Sequence, residues 1–189
     1  YGVNSADGGK ISIGGDLNVN VTAKDDAIAI KTAGASETGA SSEVTLGGKH
    51  NVLVGDVIVE TQGAMNFKDG STAITGDVKV DGASNISLAN SSVELMEGST
   101  FVVKGALASK KGQIVLNDNK ANTVAIENLT DGSSLEVAAS GALNDKLGGD
   151  LDAFNAAVSI TNGAEGTTVV MKEGLVAGET QAKLDNTGK

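Results

Sequence analysis

The segment GDVIVETQGAMNFKDGSTAITGDVKVDGASNISLANSSVEL, residues 55–95, decides the fold of this chain. It holds triplets of apolar, polar, apolar residues: VIV at 57–59, VKV at 78–80, ISL at 86–88 and VEL at 93–95, each beside Gly, Asn, Asp or Ser. Alternation of period two, bounded by turn residues, marks short strands with one side in a core and the other in water. Working outward, the same triplet recurs as ISI at 11–13, VTL at 44–46, VAI at 124–126, LEV at 135–137 and VSI at 158–160. Helix-period patterning is nearly absent.

Short strands of this kind occur in sandwiches, barrels and solenoids, and spacing arbitrates between them. Val44, Met65 and Ile86 are 21 residues apart; Val57 and Val78 are 21 apart, and Phe101 and Val124 follow at steps of 23. A third series runs Val93, Ile114 and Leu135 at steps of 21, then Val158 at 23. Three interleaved series with one repeat of about 22 residues predict a three-sided β-helix, each strand lying parallel on its counterpart one coil away. Two small immunoglobulin-like sandwiches are the alternative. Sandwich strands are longer and their core usually holds an aromatic, whereas these triplets are minimal and Trp is absent.

The pattern breaks in ASGALNDKLGGDLDAFNAAVSI, residues 139–160. Leu143, Leu147, Leu151 and Phe154 recur at helical spacing there, and Asp150 suits the N-cap of a helix over 151–157. One short helical insertion is therefore expected near residues 143–157, laid over a side of the rod.

Composition narrows the function classes. The core must be built from Val, Ile, Leu and Ala, because the 189 residues include four aromatics, no Trp, no Pro and no Cys, with 26 glycines marking turns. Every basic residue is lysine, and 14 lysines against 24 acidic residues give a net charge of −10. That charge opposes nucleic acid and anionic membrane surfaces as partners. Without cysteine there is no disulfide framework, thiolate nucleophile or cysteine metal site. No apolar run approaches the length of a membrane-crossing helix, so no membrane span is expected. Tyr1 without a preceding Met reads as a processed product or fragment.

The strings SSVELMEGSTFVVKGALASKKGQIVLND (91–118), DGSSLEVAASGALNDKLGGDLDAF (131–154) and TTVVMKEGLVAGETQAKLD (167–185) resemble passenger regions of bacterial autotransporters. The resemblance covers most of the chain from Ile11 onward. It implies a parallel β-helix, export to the outer surface, and roles in adhesion, aggregation or display. The family's N-terminal signal segment and C-terminal translocator barrel are not in the sequence, so residues 1–189 are expected to be a single β-helix segment of a longer exported protein.

One string has a catalytic look. In VTAKDDAIAIKTAG, residues 21–34, Asp25 and Asp26 stand ahead of Ile28, Ile30 and Lys31. DDAIAIK resembles a stretch of polygalacturonase-type glycosidases, themselves parallel β-helices, in which paired carboxylates serve as acid and base on a glycosidic bond. Those enzymes add an Asn-Thr-Asp, a Gly-His-Gly and an Arg-Ile-Lys on neighbouring coils. Here the one histidine, His50, lies in GKHNV with no glycine after it, and arginine is absent. Asp25 and Asp26 are read as a solvated turn that starts the strand from Ala27 to Ile30.

Weaker signals also have bland readings. GGD at 14–16 and 148–150 resembles calcium-binding nonapeptide turns but lacks their tandem repeats. His50 reads as a turn or surface residue rather than a metal ligand. Sequons begin at Asn20, Asn85, Asn90 and Asn128, as turns rich in Asn and Ser produce by chance. No phosphate loop, GxSxG elbow or HExxH helix is present.

The expectation is an all-β chain, a right-handed parallel β-helix of about 22 residues per coil. Its role is non-enzymatic: a stalk or adhesin segment at the bacterial cell surface or secreted, without catalytic, metal or cofactor residues and with no identifiable ligand residues. Host or bacterial surface proteins or glycans are the expected partners, with self-association as a further option and no membrane insertion by this segment. The alternatives are a self-assembling extracellular filament or matrix component, and a polysaccharide-degrading enzyme centred on Asp25 and Asp26.

Overall fold

The computed structural model describes residues 1–22, 27–35, 37–117, 122–130 and 132–140, together with the backbone of 156–161, 168–171 and 181–185. Its strands, numbered along the chain, fall on three faces. The first face carries β1 (Val3–Ala6), β4 (Ile28–Ala33), β7 (Asp56–Glu60), β10 (Val78–Val80), β13 (Thr100–Lys110), β15 (Asn122–Leu129), β17 (Ala156–Thr161) and β19 (Gln181–Asp185). The second carries β2 (Lys10–Ile13), β5 (Glu43–Leu46), β8 (Ala64–Lys68), β11 (Asn85–Ala89) and the second half of β13. The third carries β3 (Asn18–Asn20), β6 (His50–Val54), β9 (Ser71–Thr75), β12 (Ser92–Leu95), β14 (Gly112–Leu116), β16 (Ser134–Ala139) and β18 (Thr168–Met171).

The chain visits the faces in turn and every strand pairs in parallel with its counterpart one rung away, which makes the fold an all-β solenoid, a parallel β-helix. The first two faces form one twelve-stranded sheet because β13 rounds the corner without a break. Its residues 101–103 pair with β10 and its residues 106–110 with β11. The third face is a separate seven-stranded sheet.

Two of the expected series are the observed ladders. Val44 pairs with Met65 and Met65 with Ile86, while Val57, Val78, Phe101 and Val124 pair in succession. The third series needs correction. Val93 pairs with Ile114, but Ile114 pairs with Val137, Leu135 pairs with Gly112, and Val158 lies on Val124 of the first face. The cause is the period of two: Leu135 and Val137 both point inward, and sliding a strand by two residues leaves every side chain on its own side.

Steps of about 21 to 23 residues hold from β5 to β16, about four turns. Toward the ends they lengthen: Val3 pairs with Ile30, Ile11 with Val44 and Val124 with Val158. Near the first end one cause is an excursion at 34–41, closed by an antiparallel bridge in which the Ala35 N–H donates to the Ala40 carbonyl at 2.8 Å. The steps are thus shorter in the middle of the chain than at its ends. The helical insertion expected near 143–157 lies outside the described residues as far as 155. Its last two positions are corrected, since Ala156 and Ala157 are extended in β17 and pair with Asn122 and Thr123.

Inward side chains stack along the axis. Val57, Val78, Phe101 and Val124 form one buried ladder, Leu46, Phe67 and Leu88 another, and Leu53, Ile74, Leu95 and Leu116 a third. Where strands turn, carbonyls leave the ladders and buried serines satisfy them. The Ser91 hydroxyl donates to the Phe67 carbonyl at 3.0 Å, Ser109 to the Ser134 carbonyl at 2.6 Å, and Ser99 to the carbonyls of Ile74 and Met96.

Not every buried hydroxyl follows this economy. Thr32 sits in the ladder Ser5, Thr32, Val59, fully buried, and its hydroxyl has no hydrogen-bond partner among the described residues. Valine has nearly the same shape without the unpaired oxygen. Thr32→Val should therefore raise the unfolding free energy by ~1 kcal/mol in urea titration, and a loss of stability would contradict the orphaned hydroxyl.

Candidate functional face

Outward residues of the first face bring together groups far apart in the chain. Asp56 opens β7 and Asp77 stands one rung away, immediately before β10. Lys79 in β10 reaches both, with Nζ 3.1 Å from Asp56 Oδ2 and 3.0 Å from Asp77 Oδ2. The Asp77 N–H donates to Asp56 Oδ1 at 2.9 Å, and the Thr100 hydroxyl donates to Asp77 Oδ1 at 2.9 Å. Partial burial pushes the Asp77 pKa upward, yet the hydrogen bonds from Lys79 and Thr100 together outweigh it and hold the carboxyl below its ordinary value. A general acid must hold its proton near neutral pH, and this shift runs the other way. The trio suits cohesion between rungs. Its signal in the sequence is the recurrence of GDVIV at 55–59 and GDVKV at 76–80, which becomes readable once the register is known.

Lys31, the last residue of DDAIAIK, points outward from β4 and pairs with Glu60 one strand along, Nζ to Oε1 at 2.6 Å. The Glu60 carboxylate holds the Lys31 pKa above its ordinary value, against partial desolvation. The ammonium also lies 5.9 Å from the centre of the Tyr1 ring, within cation–π range. Asp25 and Asp26 lie outside the described residues.

Near the same face, Asp81 stitches a corner: its carboxylate accepts from the N–H of Thr61 at 2.8 Å and of Ala83 at 3.0 Å. Burial raises its pKa, but the donors gathered around the carboxylate at Ser84, Thr61 and Ala83 bring it below the ordinary value. Between Lys79, Asp81, Ile58, Glu60, Val102 and Lys104 lies an open depression of about 540 Å³. Its walls alternate charge with aliphatic surface.

The other sequence candidates are dispersed. Asp16 of the first GGD accepts the His50 N–H at 3.0 Å, so it caps the start of β6, and this hydrogen bond lowers its pKa. His50 is exposed at that strand end. The second GGD lies outside the described residues. Asn20, Asn85 and Asn128 are exposed strand residues, and Asn90 is an exposed corner residue whose Nδ2 lies 3.4 Å from Asp69 Oδ1. Among the described residues no group of three His, Cys, Asp or Glu is arranged to hold a metal ion, and no helix is long and apolar enough to cross a membrane.

The lowered pKa values carry a pH dependence. A carboxyl whose folded pKa lies below its unfolded value, near 3.8, adds stability that is complete above that value and disappears as pH falls through the folded pKa. With Asp16, Asp77 and Asp81 all shifted this way, the melting temperature should be level at neutral pH and fall below about pH 4. Thermal melts across that range check it, and Asp81→Asn should flatten part of the acid limb.

Compared with models of known protein families, with characterised proteins and with solved structures, the chain matches none.

Proposed function

We propose that this chain is a non-enzymatic stalk or adhesive segment of an exported bacterial surface protein, a right-handed β-helical shaft that presents its outer faces to a neighbouring cell or matrix. The observation that carries this reading is the unbroken parallel pairing from β1 to β19, in which every rung is tied to the next. Rung-on-rung pairing gives a stiff shaft without any cofactor. The outer surface is tied along the axis as well. On the second face Asn66 donates to Glu43 at 2.7 Å and to Thr45 at 3.2 Å, and Ser87 donates to Asn66 at 2.7 Å. Such faces offer wide, shallow contact area. The winding hand, a location outside the cell and a helical cover within 143–155 belong to this proposal.

Fluorescently labelled chain should bind epithelial or bacterial cells saturably, and unlabelled chain should displace it. Binding that never saturates would remove the adhesive role. Incubation with polygalacturonate should release no reducing ends; release that Asp26→Ala abolishes would replace the proposal with the enzymatic reading.

A further inference from the structure

We propose that the corner between the second and third faces binds a linear glycan carrying widely spaced acidic groups. Two lysines mark its ends. Ala89 pairs with Lys68 on one side and with Lys110 on the other, so the two lysines stand in one column two strand spacings apart, ~9.6 Å. Lys49 and Lys111 flank the corner itself, and Lys49 Nζ donates to the Asp69 carbonyl at 3.3 Å. All four lysines are exposed.

The corner repeats from rung to rung. Asp69, Asn90 and Lys111 share left-handed backbone, with φ of 52°, 50° and 55°. The Asp69 N–H donates to the Ala89 carbonyl and the Asn90 N–H to the Lys110 carbonyl. Backbone pairing, and not flexible side-chain packing, therefore sets the interval between the lysines. Next in sequence to Lys68 and Lys110, Asp69 and Lys111 line an open depression of about 520 Å³ together with Lys49, Asn90, Ser92 and Gln113 among others. Asp69 is its one acidic lining residue.

Charge spacing selects the ligand. Four of 14 lysines gathered at one corner of a chain of net charge −10 make a local positive region on an acidic molecule. A nucleic-acid duplex, with a negative charge every ~1.7 Å, would meet Asp69 as well as the lysines and be repelled by the rest of the surface. A glycan with an acidic group on alternate sugars places charge at Lys68 and Lys110 and neutral hydroxyls near Asn90, Ser92 and Gln113. Lysine, a rotatable point charge with three donors, accepts carboxylate or sulfate alike. The site names a ligand class for the adhesive reading and in that sense rests on it, but glycan binding is measurable without cells.

The full chain is titrated with fluorescent hyaluronan hexasaccharide, a probe with one carboxylate on every second sugar, at low and at physiological salt. Saturable binding that weakens with salt is expected. Lys68→Gln/Lys110→Gln should weaken it about tenfold, the size expected from losing two exposed charge contacts. Lys104→Gln, on the first face, should leave it unchanged. Matching thermal melts show that the variants are folded. Absence of binding, an equal loss with Lys104→Gln, or a short DNA duplex bound as tightly as the glycan would each overturn the site. The two proposals fail separately: a chain that binds cells but not hyaluronan keeps the adhesive role and loses this site, and the converse keeps the site alone.

Discussion

Phe101→Ala lowers the unfolding free energy by about 4 kcal/mol, the cost of removing a large buried ring from a core that cannot close around the gap. Phe101 is fully buried and stands in the ladder between Val78 and Val124. Its strand is pinned on both sides, by parallel pairing to β10 and to β15. Strand spacing is set by backbone hydrogen bonds, so neighbouring rungs cannot move together to fill the space. The expected fall in melting temperature is roughly 10 °C for a chain of this length. Phe101→Leu keeps most of the volume and should cost only about 1 kcal/mol. Urea titrations of both variants test this, and a loss below ~1 kcal/mol for alanine would mean that the ring is not enclosed.

Gly105→Ala should cost about 3 kcal/mol even though a methyl group is the smallest side chain that can be added. Gly105 lies inside β13 where the strand rounds from the first face to the second. A methyl group there would overlap the carbonyl oxygens of Ser84 and Asp81. Both belong to backbone in the turn between β10 and β11, so relief requires moving the neighbouring rung and not rotating a side chain. Gly82, in that same turn, has open space around it and should accept alanine within ~0.5 kcal/mol. The contrast between Gly105 and Gly82 isolates rung-on-rung contact from glycine's conformational freedom. Equal effects at the two positions would contradict the stacking.

Much of this architecture is legible in the triplets. Val44, Met65 and Ile86, and Val57, Val78, Phe101 and Val124, align by spacing as they pair in space. What spacing cannot resolve is a shift of two residues, which is why it sets Leu135 against Ile114 when Val137 occupies that place. Nor can it anticipate that β13 continues through a corner. Left-handed backbone at Thr61, Gln62, Glu97 and Lys111 is equally hidden. Local preference favours Gly, Asn and Asp at such positions, and at Asn90 and Asp69 it agrees; at Lys111 a hydrogen bond to the adjacent rung decides.

The candidate sites depend on register even more. Asp56, Asp77 and Lys79 read as unrelated turn and strand residues until β7 lies beside β10. Lys68 and Lys110 become one column only because Ala89 joins them. DDAIAIK, by contrast, draws notice at once, and the structure accounts for its lysine as a partner of Glu60.

Electron-spin distances along one outward ladder test the solenoid most directly. Asn4, Lys31, Ile58, Lys79, Val102 and Ala125 follow one another in register on the first face. The chain has no cysteine, so paired cysteine labels go only where they are placed. With strands ~4.8 Å apart, labels at Asn4 and Val102 should lie about 19 Å apart, and labels at Asn4 and Ala125 about 24 Å apart, in narrow distributions. An increase of one strand spacing on moving the second label from Val102 to Ala125 is the predicted result. Equal distances, or separations spread broadly beyond ~30 Å, would contradict a parallel rung-on-rung shaft.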